Sequence, residues 1–248
     1  MLAQITDPHV DVGPGDLGSA AALAAGVAEV LALDPAPDAV VVTGDLAEHA
    51  SAAEYERVRE LLTPLPMPVH VIPGNHDDRD ALRARFPSPP GERVQYAADA
   101  GPLRLVACDT TIPGEIPGRL DLEWVEAELA AVADAGRPVV LAMHHPPVGI
   151  GQPVLDDAGL PEADRSGLAE LLRAFPAVRR IIAGHYHRTA FGVLAGCGVA
   201  VCPSVHLQSR LEIGGNDFEL VREPPAIALH LARDGDVVSH VQPVMARA

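Results

Sequence analysis

Five short segments of this 248-residue chain carry side chains able to hold metal ions or move protons. They are Asp7-Pro8-His9, Gly44-Asp45, Gly74-Asn75-His76-Asp77, His144-His145 and Gly184-His185-Tyr186-His187. Imidazole nitrogens mixed with carboxylate and amide oxygens suit Mn, Fe, Zn or Co better than Ca, and the absence of Cys argues against a soft thiolate site. Two ions can be held if one carboxylate bridges them, and Asp45, alone on its turn, is the natural bridge. A pair of ions roughly 3.5–4 Å apart can clamp the attacking and leaving oxygens of an in-line phosphoryl displacement. Each segment also has a plainer reading. Asp7 and Asp45 could simply cap the helices that follow, and a lone His at a strand end is often structural. The recurrence of matched ligand types at five strand ends is what the plainer readings do not explain.

The elements that must position these residues are legible as apolar runs. Leu2–Thr6, Ala39–Thr43, Val69–Ile72, Pro138–Met143 and Val178–Ala183 each read as a strand that stops at one of the five segments. The run Ala39–Thr43 is apolar throughout until its end, as in a strand buried on both faces. In α/β sheets, sites form beyond the carboxyl ends of strands, so the five segments can converge on one edge. His185-x-His187, read as extended chain, would point both rings to one side.

Between the strands, helical spacing predicts helices over Ser19–Leu33, Ser51–Thr63 (with Ser51 and Glu54 as a capping box), Asp78–Phe86, Asp121–Ala133 and Gly167–Phe175, the last capped by Ser166. Val94–Ala97 and Leu103–Asp109 read as strands. So do Phe191–Leu194, Val199–Pro203, Ile227–Ala232 and Val237–Val241, the last two joined by a hairpin turn at Arg233–Asp236. Val148–Asp164 reads as a long loop, of the length that tends to wall or cover a site. No repeat or linker is evident, so one domain over residues 1–248 is expected.

Composition narrows the function. The chain has 34 acidic and 18 basic residues, a formal charge of −16, and every basic residue is Arg. Such a balance argues against a nucleic-acid duplex as partner and against a polybasic membrane anchor. An anionic substrate would need a local source of positive charge, for which bound metal ions are suited. Cys108, Cys197 and Cys202 contain no C-x-x-C pair and read as core thiols of a reducing compartment. The first strand starts directly after Met1, leaving no room for a signal peptide, so a cytoplasmic location is expected.

The ordered string D-x-H, G-D, G-N-H-D, H-H-P-P and G-H-x-H resembles the calcineurin-like metallophosphoesterase superfamily. Asp109-Thr110, Pro113-Gly114, Gly118-Arg119-Leu120, Trp124 and Ser204-Val205-His206 are similar to features of its class III cyclic-nucleotide phosphodiesterase and glycerophosphodiesterase branch. That resemblance implies a four-layer α/β/β/α sandwich of two mixed sheets, to which strands segregated late in the chain would contribute a second sheet. It also implies two divalent ions per chain, with Asp7, His9 and His187 on the first, Asn75, His144 and His185 on the second, and Asp45 bridging. Of the two adjacent histidines, His144 rather than His145 would be the ligand. His76 would stand over the phosphate as electrostatic stabiliser or general acid, Asn75 beside it, Asp77 behind them, and His206 would touch substrate from further out. The implied activity is hydrolysis of small phosphodiesters, either 3′,5′-cyclic nucleotides such as cAMP or glycerophosphodiesters, by attack of a metal-bridging hydroxide. A phosphomonoesterase is the enzymatic alternative, and a metal-stabilised interaction module without catalysis is the alternative of another class. A homodimer or larger homo-oligomer is implied as well. Val148–Asp164 contains no aromatic ring, which weakens the cyclic-nucleotide reading. His49, His70, His230 and His240 read as surface or packing residues, and Arg79 and Arg188 as solvated.

Overall fold

The strands that end in the five segments are buried because apolar side chains emerge from both of their faces. In the computed structural model, which describes residues 1–132 and 136–245, β1 (Leu2–Ile5), β2 (Ala39–Thr43) and β3 (Val69–Ile72) are parallel neighbours. Their alternate residues split cleanly. Ala3, Ile5, Val40, Val42 and Val71 meet Leu23, Val27 and Val30 of α1 (Ser19–Leu31) and Tyr55, Val58 and Leu62 of α2 (Ala52–Leu62), with Leu82 of α3 (Arg79–Arg83) beside them. Leu2, Ala39, Val41 and Ile72 face the other way, onto Leu105, Ala107, Val140, Ala142 and Ile182 of a second sheet.

That second sheet runs β4 (Tyr96–Ala100), β5 (Leu103–Ala107), β6 (Val139–Ala142), β7 (Val178–Ala183), β9 (Cys197–Val201) and β8 (Ala190–Leu194) in spatial order. Strands β5, β6, β7 and β9 are parallel, while β4 and β8 are antiparallel edges. Its outer face packs on α4 (Leu122–Val132) and α6 (Glu162–Ala174) through residues such as Leu129, Leu141, Leu168 and Ile181. Helix on sheet on sheet on helix follows from three apolar layers, and the four-layer expectation is met.

The order of strands differs from expectation at the chain's end. The hairpin β12 (Ala226–Arg233) and β13 (Asp236–Pro243) returns to the first sheet, antiparallel to β1, giving the order β13-β12-β1-β2-β3. The second sheet is therefore built from the middle of the chain rather than from its last strands. The Val94–Ala97 strand is displaced to Tyr96–Ala100, where it can pair with Leu103–Ala107. Helix α6 starts at Glu162, not Gly167, and Ser166 lies inside it with its hydroxyl on Glu162 (3.0 Å) rather than capping. The expected loop over Val148–Asp164 also contains a single turn of helix, α5 (Pro153–Asp156). A two-residue ladder between β10 (Gln208–Ser209) and β11 (Leu220–Val221) is present where no strand is expected. The expected end of α4 at Ala133 lies outside the described residues.

Gln4 is one of the polar groups that bond across the layer between the sheets, with Tyr96 on Val71 and Arg180 on the Val237 carbonyl among the others. Gln4, fully buried, donates to Thr43 Oγ1 (2.8 Å) beside it and to the Ala183 carbonyl (3.0 Å) in the opposite sheet. Its Oε1 lies 3.0 Å from Nε2 of buried His230, whose Nδ1 is 2.8 Å from Ser239 Oγ. A neutral His230 protonated on Nε2 satisfies every partner, so this packing residue braces, from within the first sheet, the Gln4 amide that reaches the second. Burial, then the nearby Arg180 charge, push its imidazole down to about 3. Because the unfolded chain binds that proton more readily, the stabilisation is complete above the ordinary histidine range near 6.5 and is lost as pH falls toward 3. Urea unfolding of wild type and His230→Gln should show their stability difference changing by roughly 1.4 kcal/mol per pH unit across that window. A difference that stays flat from pH 7 to pH 4 would refute the assignment.

Candidate metal centre

All five segments meet at one end of the sandwich, because β1, β2 and β3 of one sheet and β6 and β7 of the other finish there. Glycine makes the approach close enough. A Cβ at Gly44 would run into the His144 ring, one at Gly74 into the Asp45 carboxylate, and one at Gly184 into Thr6 and Asp7. Each Gly-ligand dipeptide thus has a steric reason for its first residue. Asp7, His9, Asp45, His185 and His187 all adopt left-handed backbone conformations, with φ of 51°, 45°, 50°, 67° and 48°. His185-x-His187 is therefore not extended; it is a curled turn that brings both rings inward.

Four imidazoles are arranged alike. Each has one nitrogen against an outer acceptor: His9 Nδ1 on Glu48 Oε2 (2.7 Å), His144 Nδ1 on the Thr43 carbonyl (2.8 Å), His185 Nε2 on the Ala158 carbonyl (3.0 Å) and His187 Nδ1 on the Leu207 carbonyl (2.8 Å). An acceptor in that place fixes the proton outward and leaves a lone pair facing in. The inner nitrogens then face each other, His9 Nε2 with His187 Nε2 at 3.0 Å and His144 Nε2 with His185 Nδ1 at 3.1 Å. Opposed lone pairs at such distances repel unless a proton or a metal cation lies between them. Carboxylate and amide oxygens complete the set. Asp7 Oδ1 is 3.4 Å from His187 Nε2, and Asn75 Oδ1 is 3.1 Å from His144 Nε2. Asp45 Oδ2 is 3.3 Å from His9 Nε2 and 3.4 Å from His144 Nε2. The donor set fits two divalent cations.

With no metal ion among them, the buried carboxylates draw positive charge onto the imidazoles. Burial would raise the Asp45 carboxyl, but His144 and His9 beside it hold it well below the usual carboxylate range. Burial would lower His144, yet Asp45 and Asp7 lift it to about 9. Burial pushes His145 and His185 well down, with the His144 charge adding to the effect for both.

The two adjacent histidines are not equivalent. His145 has both ring nitrogens engaged, Nδ1 with Thr110 Oγ1 (2.7 Å) and Nε2 with the Ile116 carbonyl (2.9 Å). The centre of the cluster is left to His144. Asp77 accepts from the backbone N–H groups of Gly74 (2.9 Å), Leu46 (3.1 Å) and Ala47 (3.2 Å) and from the Tyr55 hydroxyl (3.0 Å), so it braces the turns that carry Asp45 and Asn75. His76 is more than a third exposed; its Nδ1 meets the Glu48 carbonyl at 3.0 Å, and its backbone N–H donates to Asp45 Oδ1 (2.9 Å). His206 and His49 both line the cleft of about 590 Å³ above the cluster, together with His76 and Asn75.

Two arginines depart from the solvated reading. Arg79 grips buried Asp109 with Nε and Nη2 (2.7 and 3.0 Å) and also the Thr111 carbonyl (2.8 Å), so it clasps the loop after β5. Arg188 bridges the Ser209 carbonyl and Glu223. Glu48, the partner of His9, escaped sequence reasoning, although its place three residues after Asp45 was a signal. The three cysteines are buried and free, as expected for core thiols. Among the described residues, no helix is long and apolar enough to cross a membrane.

A two-sheet sandwich with such a cluster at the strand ends defines a metal-dependent phosphoric ester hydrolase. The chain belongs to the calcineurin-like phosphoesterase family, whose family model matches residues 1–189. It is 32% identical over 206 residues to a probable glycerophosphodiester phosphodiesterase of Arcobacter nitrofigilis, covering 80% of this chain and 74% of that one. It is 30% identical over 241 residues to a 3′,5′-cyclic adenosine monophosphate phosphodiesterase of Pseudomonas aeruginosa, covering 95% and 86%. In fold it resembles a dimetal phosphatase from Danio rerio, with a TM-score of 0.68 at 17% identity over 98% of this chain and 96% of that one.

The hydrogen bonding separates the two adjacent histidines experimentally. His144→Ala should lower metal content by about one ion per chain after repletion, because a nitrogen that faces the cluster is lost. His145→Ala should keep both ions and lose about 1–3 kcal/mol of stability from the partners it strands. Elemental analysis showing the reverse order of metal loss would overturn the distinction.

Proposed function

We propose that this protein is a dinuclear metallophosphodiesterase acting on small phosphodiesters, namely 3′,5′-cyclic nucleotides or glycerophosphodiesters, with residues 1–248 forming one domain. The observation that carries the reading is the position of Asp45 Oδ2, nearly equidistant from His9 and His144, ligand candidates that belong to different halves of the cluster. In this reading Asp7, His9 and His187 hold one ion, Asn75, His144 and His185 the other, and Asp45 both. Mn, Fe, Zn and Co match the nitrogen-rich donor set. When bound, the two ions supply the Lewis acidity that makes water nucleophilic near neutral pH and offsets charge building on phosphorus.

The side chains supply the rest. Asp45 is oriented by the His76 backbone N–H, which holds Oδ1 and leaves Oδ2 to the cluster. His76 has Nδ1 committed to the Glu48 carbonyl, so Nε2 is the nitrogen available to substrate. A protonated His76 can donate a hydrogen bond to a phosphoryl oxygen and then a proton to the departing alkoxide. Asn75 stands beside it and can donate an amide N–H to the same phosphate while its Oδ1 faces the metals. His206 lines the same cleft and is suited to contacting the ester arm. Similarity to phosphodiesterases rather than to monoesterases at about 30% identity supports the diester preference.

Metal-loaded protein should hydrolyse bis-(p-nitrophenyl) phosphate faster than the monoester, and Asp45→Ala should cost at least roughly 10³-fold, the loss expected when electrostatic stabilisation is removed. His76→Ala should lower kcat by roughly 10²–10⁴-fold with both ions retained, whereas Asn75→Ala should also weaken metal binding. Faster turnover of the monoester would favour a phosphomonoesterase, and no turnover of either ester by fully loaded protein would sink the enzymatic reading.

A further inference from the structure

The polar residues of the cleft come from strand ends, but another part of its lining does not. Leu17, Ile116, Val154, Leu155, Phe218 and Leu220 reach it from three loops, from α5 and from the β10–β11 ladder. Leu17, Ile116, Phe218 and Leu220 are 57%, 62%, 53% and 42% exposed. Large apolar side chains gathered in water at one cleft mark a binding surface rather than a packing accident. A phosphate has no use for such a wall. A glycerol arm, which carries hydroxyls, gains little from it, because a hydroxyl set against apolar surface forfeits its hydrogen bonds.

The aromatic in this wall is held in place. Gln152 is fully buried, and its side chain spans the base of the loop that carries Phe218. Its Nε2 donates to the Asp217 carbonyl (3.1 Å), and its Oε1 accepts from the Glu212 N–H (3.2 Å). The same residue is the N-cap of α5, from which Val154 and Leu155 reach the cleft. A further bond, Gly214 N–H to the Gly151 carbonyl (2.7 Å), ties the loop to the adjacent turn. Gln152 therefore sets the position of Phe218 relative to the α5 side of the wall. A large exposed aromatic anchored through a buried amide is preorganised to bind.

We propose that Phe218 is a specificity-determining residue that stacks on a planar ring in the ester arm of the substrate, and that Gln152 is the positioning residue for it. The proposal rests on the phosphoesterase reading for the location of the phosphate. It supplies the aromatic surface that Val148–Asp164 lacks, and it favours ring-bearing esters over glycerol esters.

Calorimetric titration of the metal-loaded protein with phenylphosphonate and methylphosphonate tests this, because the two ligands share a head group and differ in the ring. Wild type should bind the phenyl compound roughly tenfold or more tightly, in line with one ring stacked on one aromatic. Phe218→Ala should reduce that preference to less than about threefold, and Phe218→Tyr should restore it, since stacking needs the ring and not the residue. Gln152→Leu should erode the preference in the same direction. Phe191→Ala, which removes an exposed aromatic that does not line the cleft, should leave it intact. No preference in the wild type, or a preference that survives Phe218→Ala, would overturn the proposal. A preference lost in Phe218→Ala but kept in Gln152→Leu would overturn the positioning role. Failure to hydrolyse any phosphodiester would instead defeat the catalytic reading, and the phosphonate titrations would still report on Phe218.

Discussion

The hydrogen bond between His144 Nδ1 and the Thr43 carbonyl, 2.8 Å long, joins the end of β6 in one sheet to the end of β2 in the other. Without a tie of this kind the cluster would be two half-sites on two independent edges. Thr43 immediately precedes Gly44-Asp45, so the same bond that orients the His144 ring also sets its distance from the Asp45 carboxylate. Gln4 makes a parallel tie one layer deeper, from β1 to the Ala183 carbonyl next to Gly184-His185. Small residues let this happen. Ala39, Ala107 and Ala142 in the layer between the sheets, and Gly44, Gly74 and Gly184 before Asp45, Asn75 and His185, permit backbone approaches that larger side chains would block. The centre depends on how closely the two sheets can meet.

Much of this was legible in the chain, because the signals were local. An apolar run that stops at a candidate ligand says both where a strand ends and what it presents, and all five such runs form strands with those residues at one end. Two layers of alternating apolar residues on β2 foretold burial on both faces. What stayed hidden was set by partners far away in sequence. His230 looked like any packing histidine until Gln4, 226 residues away, supplied its acceptor. Arg79 looked solvated until Asp109 was found buried beneath it. Phe218 lay in a polar, Gly-rich stretch with no periodicity, and only the pairing of Gln208–Ser209 with Leu220–Val221 brings that stretch over the cleft. The return of β12 and β13 to β1 was hidden for the same reason, since a strand's sequence says that it pairs but not with which sheet.

The electrostatic demands of the site are severe. A chain of net charge −16 places Asp11, Asp16, Asp45 and Glu48 along a cleft meant for an anionic phosphate. Among the described residues no arginine lines that cleft, and Arg79 and Arg188, which adjoin two of the five segments in sequence, are committed to Asp109 and Glu223. On the proposed reading, the positive charge is supplied by the ions the cluster would hold. Binding of metal and binding of substrate are then linked, because each cation both relieves the opposed lone pairs and reverses the field the phosphate meets.

The backbone shows what this arrangement costs. Asp7, His9, Asp45, His185 and His187 share the left-handed region that most side chains avoid. Aspartate and histidine tolerate it better than bulky or branched residues, but a cluster of five is not a product of turn chemistry alone. The Asp7 carboxylate receives the His185 N–H at 3.0 and 3.1 Å, and the Asp45 carboxylate that of His76. The carboxylates are thus fixed by backbone donors before any ion arrives, leaving the remaining lone pairs aimed at the centre. The candidate ligands therefore sit in turns braced by Asp77 and Glu48 rather than on the regular strands themselves.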